Sequence, residues 1–145
     1  MITIITNMDQ VTKATLAQLD SLLDADKVTR QAALDSVAII SSRVQNDGLK
    51  TDGSPIQSSY SDGYAKRRGK KGLQTEFVDL TFMGDMMDSL LPFQNNGDWV
   101  VGFNSSKQAQ KAEWNEIRFG KVFDLSGNEI EVIKKGIEER VGNIL

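Results

Sequence analysis

The chain has 145 residues, of which 39% are hydrophobic and 26% charged, with a formal net charge of −3; this composition indicates one soluble domain with a modest core. It contains neither cysteine nor histidine, which excludes disulfides, Cys/His zinc motifs, thiolate nucleophiles and the Ser–His–Asp triad. No run approaches the roughly 20 apolar residues that cross a bilayer, and the start MITIITNMDQ lacks the features of a signal peptide. We therefore expect cytoplasmic synthesis, no membrane contact, no metal and no cofactor.

Two apolar stripes predict helices within the first 47 residues. The first stripe comprises Met8, Val11, Leu16, Leu19 and Leu23. The second comprises Ala33, Val37, Ile40 and Val44. The second stripe repeats at helical spacing and predicts a helix from about Lys27 to Gln45. Asn46-Asp47-Gly48 should end it, because glycine adopts the left-handed conformation of a helix C-cap without strain.

Residues 48–75 concentrate the positive charge of the chain. They contain six Lys or Arg and two Asp, a net charge of +4, so the remaining residues carry −7 to give the total of −3. Five of the six cations fall in the stretch GYAKRRGKKGLQ, residues 63–74. The segment has many glycines and few aliphatic side chains, so little apolar burial is available to offset the entropy lost on ordering. We predict a long, flexible basic loop, which at this length is often functional.

A β-hairpin is predicted around Asn96-Gly97, the dipeptide most typical of a two-residue hairpin turn. The expected strands are Met86–Asn95 and Asp98–Asn104. The second strand presents Trp99, Val101 and Phe103 on one face. Pro92 has no backbone N–H to donate, so the first strand should lie at a sheet edge or carry a bulge.

Two further helices are predicted before the C-terminus. Residues 107–119 favour a helix by propensity. The sequence Ser126-Gly127-Asn128-Glu129 is a capping box, in which serine and glutamate each bind the other's backbone N–H. The stripe that follows comprises Ile130, Ile133, Ile137 and Val141. The predicted fold class is therefore α+β, in a single domain of residues 1–145: N-terminal helices (1–47), the basic loop (48–75), and a small antiparallel sheet with the C-terminal helix (76–145).

Carboxylate pairs are the remaining candidates for catalysis or metal binding. Asp85 and Asp88, and likewise Glu113 and Glu116, lie three residues apart and would share a helix face. Such pairs are usually solvated surface charges, and the chain has no glycine-rich phosphate loop. We predict that the protein is not an enzyme.

Four short motifs follow one another between Thr51 and Glu139. They are DGSP (52–55), SSYSDGYAK (58–66), VDLTFMGDMMDSL (78–90) and FGKVFDLS (119–126), with the basic stretch between the second and the third. In this order and spacing they resemble the tailed-phage virion morphogenesis or tail-completion proteins, small neck components at the head–tail junction. The chain departs from the family pattern at Ile56, where an aromatic residue is usual, and at Met83, where threonine is usual.

The resemblance implies a structural protein of the virion, assembled in the host cytoplasm, that joins head and tail without catalysis. Its partners would be copies of itself in a hexameric or dodecameric ring, with portal or adaptor proteins and tail-tube or tail-terminator proteins. The exposed hairpin edge and amphipathic helices also favour association. The residues expected at assembly interfaces are Leu80, Met83, Gly84, Met86, Leu90, Trp99, Phe103, Phe119, Gly120 and Phe123. For Trp99 and Phe103, ordinary core packing is the favoured alternative.

The basic segment has three interpretations. It is a solvated loop, a loop that orders against acidic surfaces of a partner, or a contact to DNA in the lumen of a neck ring. The residues that would contact DNA or an acidic partner are Tyr64, Lys66, Arg67, Arg68, Lys70 and Lys71. The charge of −7 on the other residues opposes a dedicated DNA binder, so a nucleic-acid-binding accessory protein is the alternative function.

Overall fold

A computed structural model of the chain describes residues 3–4 and 25–144. The helices are α1 (Ala25–Asp47), α2 (Asp62–Lys70), α3 (Asp85–Asp88), α4 (Ser106–Phe119) and α5 (Gly127–Ile144), and the strands are β1 (Thr3–Ile4), β2 (Leu90–Asn95) and β3 (Asp98–Phe103). The predicted α+β class is confirmed. The apolar stripe predicted as a helix over residues 8–23 lies outside the described residues. Over the described part of the chain, no helix has the length and apolar character needed to cross a membrane.

Helix α1 is the longest element, and it forms where the second apolar stripe predicts a helix. Ala33, Ile40 and Val44 of that stripe are fully buried, and α1 packs against α5 and against strands β2 and β3. The helix ends at Gly48, whose φ is +64° and whose N–H donates to the carbonyl of Val44 at 3.1 Å. The predicted glycine C-cap is therefore confirmed.

The sheet has the strand order β1-β3-β2, with both pairs antiparallel. Asn96 and Gly97 both have positive φ, +53° and +88°, which is the type I′ geometry that suits the twist of a hairpin. Among the described strands, β2 lies at the edge of the sheet, which places Pro92 as predicted. The predicted start of that strand at Met86 is wrong, because residues 85–88 form helix α3 and the Ser89 hydroxyl donates to the Met86 carbonyl at 2.7 Å.

Strand β3 is covered on both faces, although its sequence alternates. Val100, Val101 and Phe103 are all buried, since α1 and α4 both pack against this strand. The ring of Phe103 meets that of Phe123 edge-to-face, with centroids 5.3 Å apart. Val101, Phe103 and Phe123 are part of one continuous core that also takes in residues of α1, α3 and α5.

The predicted capping box of the C-terminal helix is confirmed. The backbone N–H of Glu129 donates to the Ser126 hydroxyl at 3.2 Å, and the N–H of Ser126 donates to the Glu129 carboxylate at 2.8 Å. The same carboxylate pairs with Arg43 of α1. The buried Arg43 guanidinium also donates to the Asp124 carbonyl at 2.9 Å. The start of α5 is thus fixed both by its own sequence and by α1.

Residues 48–75 are not structureless, which corrects the prediction of a long loop. The segment forms helix α2, Asp62–Lys70, and carries five of the six cations in or just after that helix. The sequence offers too few aliphatic side chains to order the segment by apolar burial. It is ordered instead by a buried arginine, which also builds one wall of the candidate site.

Candidate functional site

Arg68 is the centre of a buried polar network that attaches α2 to the rest of the fold. Its side chain is 1% exposed. The guanidinium donates to both carboxylate oxygens of Asp79, at 3.2 and 3.0 Å, to the Gln74 carbonyl at 2.9 Å, and to the Thr81 carbonyl at 2.5 Å. Every guanidinium nitrogen therefore has an acceptor, which is the condition for holding a charge inside a protein.

Asp79 is equally well satisfied. Its carboxylate accepts from the Tyr60 hydroxyl at 2.9 Å, from the Gln74 side-chain amide at 2.8 Å and from the Thr81 N–H at 2.9 Å. Burial raises the pKa of the Tyr60 phenol to about 12, so the hydroxyl stays a donor at physiological pH. The network joins α2 to residues 74–81, which run into the motif over residues 78–90.

The remaining basic side chains lie on the surface of the segment. Lys66, Arg67, Lys70 and Lys71 are exposed, whereas Arg68 is buried. Arg68 is therefore unavailable to DNA or to an acidic partner, which corrects that part of the prediction: it serves the fold. Four cations remain available for a partner.

Three aromatic rings form a cluster beside these cations. The Tyr64 ring lies 5.2 Å from that of Tyr60 and 5.7 Å from that of Phe82, centroid to centroid. The Arg67 guanidinium lies 4.9 Å, and the Lys71 ammonium 5.2 Å, from the Phe82 ring centroid. These distances are within the range of cation–π attraction, so the two cations are held over an aromatic surface.

A groove of about 790 Å³ separates this aromatic cluster from helix α4. Lys111, Trp114, Asn115 and Arg118 of α4 line one wall. Their spacing of three, four and seven residues from Lys111 places them on one face of the helix. The opposite wall includes Tyr60, Tyr64, Leu80, Phe82, Met83 and Met86.

Large apolar side chains are exposed at the groove and beside it. Met83 is 70% exposed and Trp114 59% exposed, and both line the groove. Ile117, one turn after Trp114 on α4, is 76% exposed. Single exposed apolar residues are ordinary, but a contiguous group around a groove indicates a binding surface. Leu80 of the same wall has a φ of +53°, a strained conformation for a branched residue, of the kind that accumulates at functional sites.

The groove is positively charged. Lys111 and Arg118 lie on the α4 wall. Arg67 and Lys71 lie beside the other wall, over the ring of Phe82. Asp85 is the one carboxylate among the lining residues that the structure describes. The arrangement is suited to binding a ligand that carries both apolar groups and negative charge.

Five of the ten residues predicted at assembly interfaces line this groove. They are Leu80, Met83, Gly84, Met86 and Phe119. Met86 is nevertheless only 8% exposed and packs in the core, and Leu90, Phe103 and Phe123 are buried there, where they cannot touch another subunit directly. Their part of the interface prediction is corrected, because the chain's own helices cover these side chains.

The two other predicted interface residues lie away from the groove lining. The half-buried Trp99 donates its indole N–H to the Asp26 carboxylate at 2.7 Å, with the Arg30 guanidinium 5.7 Å from its ring centroid. Gly120 ends α4 with a φ of +98°. Trp99 therefore fixes the start of α1 against the hairpin, and Gly120 turns the chain towards Phe123.

Sequence reasoning missed the α4 wall of the groove. The sequence of α4 shows no clear apolar stripe because its core face consists of Ala109 and Ala112, both buried. Once the alanines are assigned to the buried face of the helix, Lys111, Trp114 and Arg118 fall together on another face. The sequence could have predicted the α4 wall in this way.

The carboxylate pairs show no arrangement for metal binding. No group of three or more acidic, histidine or cysteine side chains in the described part of the chain is placed to hold an ion. Asp85 and Asp88 are exposed on α3. The Glu116 carboxylate accepts from the backbone N–H groups of Val122 and Phe123 at 3.0 and 3.1 Å, so it holds the turn after α4.

The chain matches no protein-family model, no curated protein and no solved structure. The geometry of the groove and of helix α2, together with the sequence motifs, therefore carries the functional argument.

Proposed function

We propose that this protein is a structural component of a tailed-phage virion, a neck or tail-completion protein that joins head and tail through protein–protein contacts. The observation that carries the proposal is the groove between α4 and residues 78–86, with Met83 and Trp114 exposed in it. The motif over residues 78–90, which resembles the phage family, supplies one wall of that groove. The same residues thus carry the resemblance and the exposed apolar surface.

The energetic argument is that these side chains gain stability only when covered. Burying a large apolar side chain contributes about 1.5–3 kcal/mol, and the exposed area of Met83, Trp114 and Ile117 forgoes much of this in the isolated subunit. A neighbouring protein that covers these side chains would gain this burial free energy on binding. Apolar side chains ringed by polar and charged ones are typical of the core of a protein–protein interface.

A second exposed apolar face supports assembly into a ring. Leu34 of α1 and Val132 of α5 are exposed, and Val132 lines a smaller hollow between these helices together with Ile39. Cyclic rings use heterologous contacts, in which one face of a subunit meets a different face of the next. Two unlike apolar faces are what a hexameric or dodecameric ring would use between its own copies, or between a copy and a portal, adaptor, tail-tube or tail-terminator subunit.

Sedimentation velocity of the purified chain, alone and mixed with portal, adaptor and tail proteins of the proposed virion, tests this proposal. We expect the chain to sediment as a ring or to co-sediment with one of these proteins. The double variant Met83→Ser with Ile117→Ser should weaken that association. A chain that stays monomeric with every such protein would contradict the proposal.

A nucleic-acid-binding accessory role is the second candidate, and the four exposed cations of residues 66–71 favour it. Four phosphate contacts predict a slope of about −3.6 in log K against log salt on duplex DNA. Titration of labelled duplex DNA at several salt concentrations distinguishes the two roles. Tight binding with this slope would support DNA contact, whereas weak binding at low salt would leave protein contact as the role of the segment.

A further inference from the structure

We infer that the groove between α4 and residues 78–86 binds an acidic amphipathic helix of a partner protein, with Trp114 as the main apolar contact. This inference rests on the proposed assembly function and names the chemistry of the partner segment. Within the groove, the apolar face of the helix meets Met83 and Trp114. Its carboxylates meet Lys111 and Arg118 of the α4 wall and the cations that lie over Phe82 beside the other wall.

The dimensions of the groove suit a helical segment. The lining residues of α4 run from Lys111 to Arg118, which at 1.5 Å per residue is a wall of about 10 Å, or two helical turns. A helix laid along such a wall presents apolar contacts at i, i+3 or i+4, and i+7. Trp114 lies in the middle of the wall, where interfaces concentrate their binding energy, and tryptophan is among the residues most enriched there.

The charges select an acidic partner. Lys111 and Arg118 lie on one wall. Arg67 and Lys71 stack on Phe82 of the other wall, 4.9 and 5.2 Å from its ring centroid. A cation already positioned over a ring loses less conformational freedom when a carboxylate approaches, and complementary charge also raises the association rate.

The lining favours a protein segment over a nucleic acid. Beside its aromatic rings, the groove has an aliphatic surface made by Leu80 and Met83, with Met83 70% exposed, which suits an apolar side chain better than a base. Asp85 lies in the groove and repels a phosphate chain, whose charge is uniform. A peptide can place an uncharged or basic side chain at that point.

Fluorescence anisotropy with the full chain tests the inference. The probe is a fluorescein-labelled peptide of about 18 residues, long enough to form a helix, with a leucine and phenylalanine stripe flanked by glutamates. A second peptide has lysine at every glutamate, and a single-stranded oligonucleotide is the third probe. We expect the glutamate peptide alone to bind with salt-sensitive affinity.

Matched variants locate the binding. Trp114→Ala should weaken binding of the glutamate peptide at least tenfold, and Leu91→Ala, at an exposed position on β2 outside both apolar faces, should change it less than about twofold. Lys111→Glu should weaken it about tenfold, whereas Lys107→Glu, one turn earlier on the same helix and outside the groove lining, makes the same change in net charge with little effect. Circular dichroism confirms that each variant folds.

A direct readout comes from the fluorescence of Trp114. The chain has two tryptophans, so in a Trp99→Phe background all indole emission comes from Trp114, and peptide binding should shift it to shorter wavelength. Four results would each overturn the inference. The lysine peptide binds as well as the glutamate peptide, Lys111→Glu and Lys107→Glu have equal effects, the emission of Trp114 does not shift, or the oligonucleotide is the only probe that binds. Absence of peptide binding together with intact co-sedimentation would reject this inference and leave the assembly function standing. Peptide binding without any assembly would reject the assembly function instead.

Discussion

Replacing Asp79 with asparagine removes the negative charge from the Arg68 network while nearly preserving side-chain volume. Arg68 would remain buried, 1% exposed, without its counter-ion. The NH₂ group of the new asparagine would also face hydrogen-bond donors, because the Gln74 side-chain amide and the Tyr60 hydroxyl both donate to Asp79. The perturbation therefore leaves an uncompensated buried charge together with a mismatched hydrogen-bond network.

The expected loss of folding free energy comes from the buried Arg68 guanidinium that is left without its counter-ion. Removing one partner of a buried ion pair destabilises a protein by about 3–5 kcal/mol, whereas the pair itself contributes little relative to apolar residues of the same size. Total stability for a domain of this size is about 5–15 kcal/mol, so Asp79→Asn should remove a large fraction of it. The double variant Arg68→Met with Asp79→Leu should be less destabilised than the single one.

Urea denaturation followed by far-ultraviolet circular dichroism measures these differences as shifts in midpoint at constant m-value. Glu131→Gln is the control, because Glu131 pairs with Lys134 at 3.4 Å on the surface and should change stability by less than about 0.5 kcal/mol. A cost below about 1 kcal/mol for Asp79→Asn would refute the account of α2 as a helix held by a buried charge. A double variant worse than the single would refute it too.

Three further predictions concern the helix ends and the pH dependence of the same fold. Ser126→Ala should cost about 1 kcal/mol through loss of the helix cap, and Glu129→Gln should cost more in the same urea titration, because that carboxylate both caps α5 and pairs with a buried arginine. In calorimetry, Gly48→Ala should lower the melting temperature by several degrees more than Gly53→Ala. Both glycines have positive φ, but a Cβ at Gly48 would lie 2.6 Å from an atom of the Phe77 ring, whereas a Cβ at Gly53 would meet nothing within 4 Å. Stability should fall from about pH 10 to pH 12 more steeply than in Tyr60→Phe, because the folded state keeps the phenolic proton up to its raised pKa of about 12 and the unfolded state loses it near 10.

Each of these has its own contrary result. Equal losses in Ser126→Ala and Glu129→Gln would show that the arginine pairing adds nothing to the cap. Equal melting temperatures for the two glycine variants would show that conformational strain alone, without the close contact, sets the cost. Parallel pH profiles for the parent and Tyr60→Phe between pH 10 and 12 would show that Tyr60 titrates normally in the folded state.

The elements that the sequence predicts correctly are specified by residues close to one another along the chain. The capping box needs only Ser126 and Glu129, and the hairpin turn needs only Asn96-Gly97, because these backbone conformations and hydrogen bonds span a few residues. Helix α1 follows from its apolar stripe and its terminal glycine. These local sequence signals can be interpreted correctly because they do not depend on any distant part of the chain.

Helix α2 and the groove depend on residues far apart in sequence. The basic stretch resembles a loop by composition because it has few aliphatic side chains. That composition does not show that Arg68 finds its acceptors elsewhere, in particular Asp79 eleven residues later. The groove needs Phe82 and Trp114 to face each other from separate elements. Local sequence thus set the caps, the turn and helices α1, α4 and α5, while tertiary structure alone decided which cation is buried and which surface is left to bind, because burial and charge pairing are properties of neighbours in space.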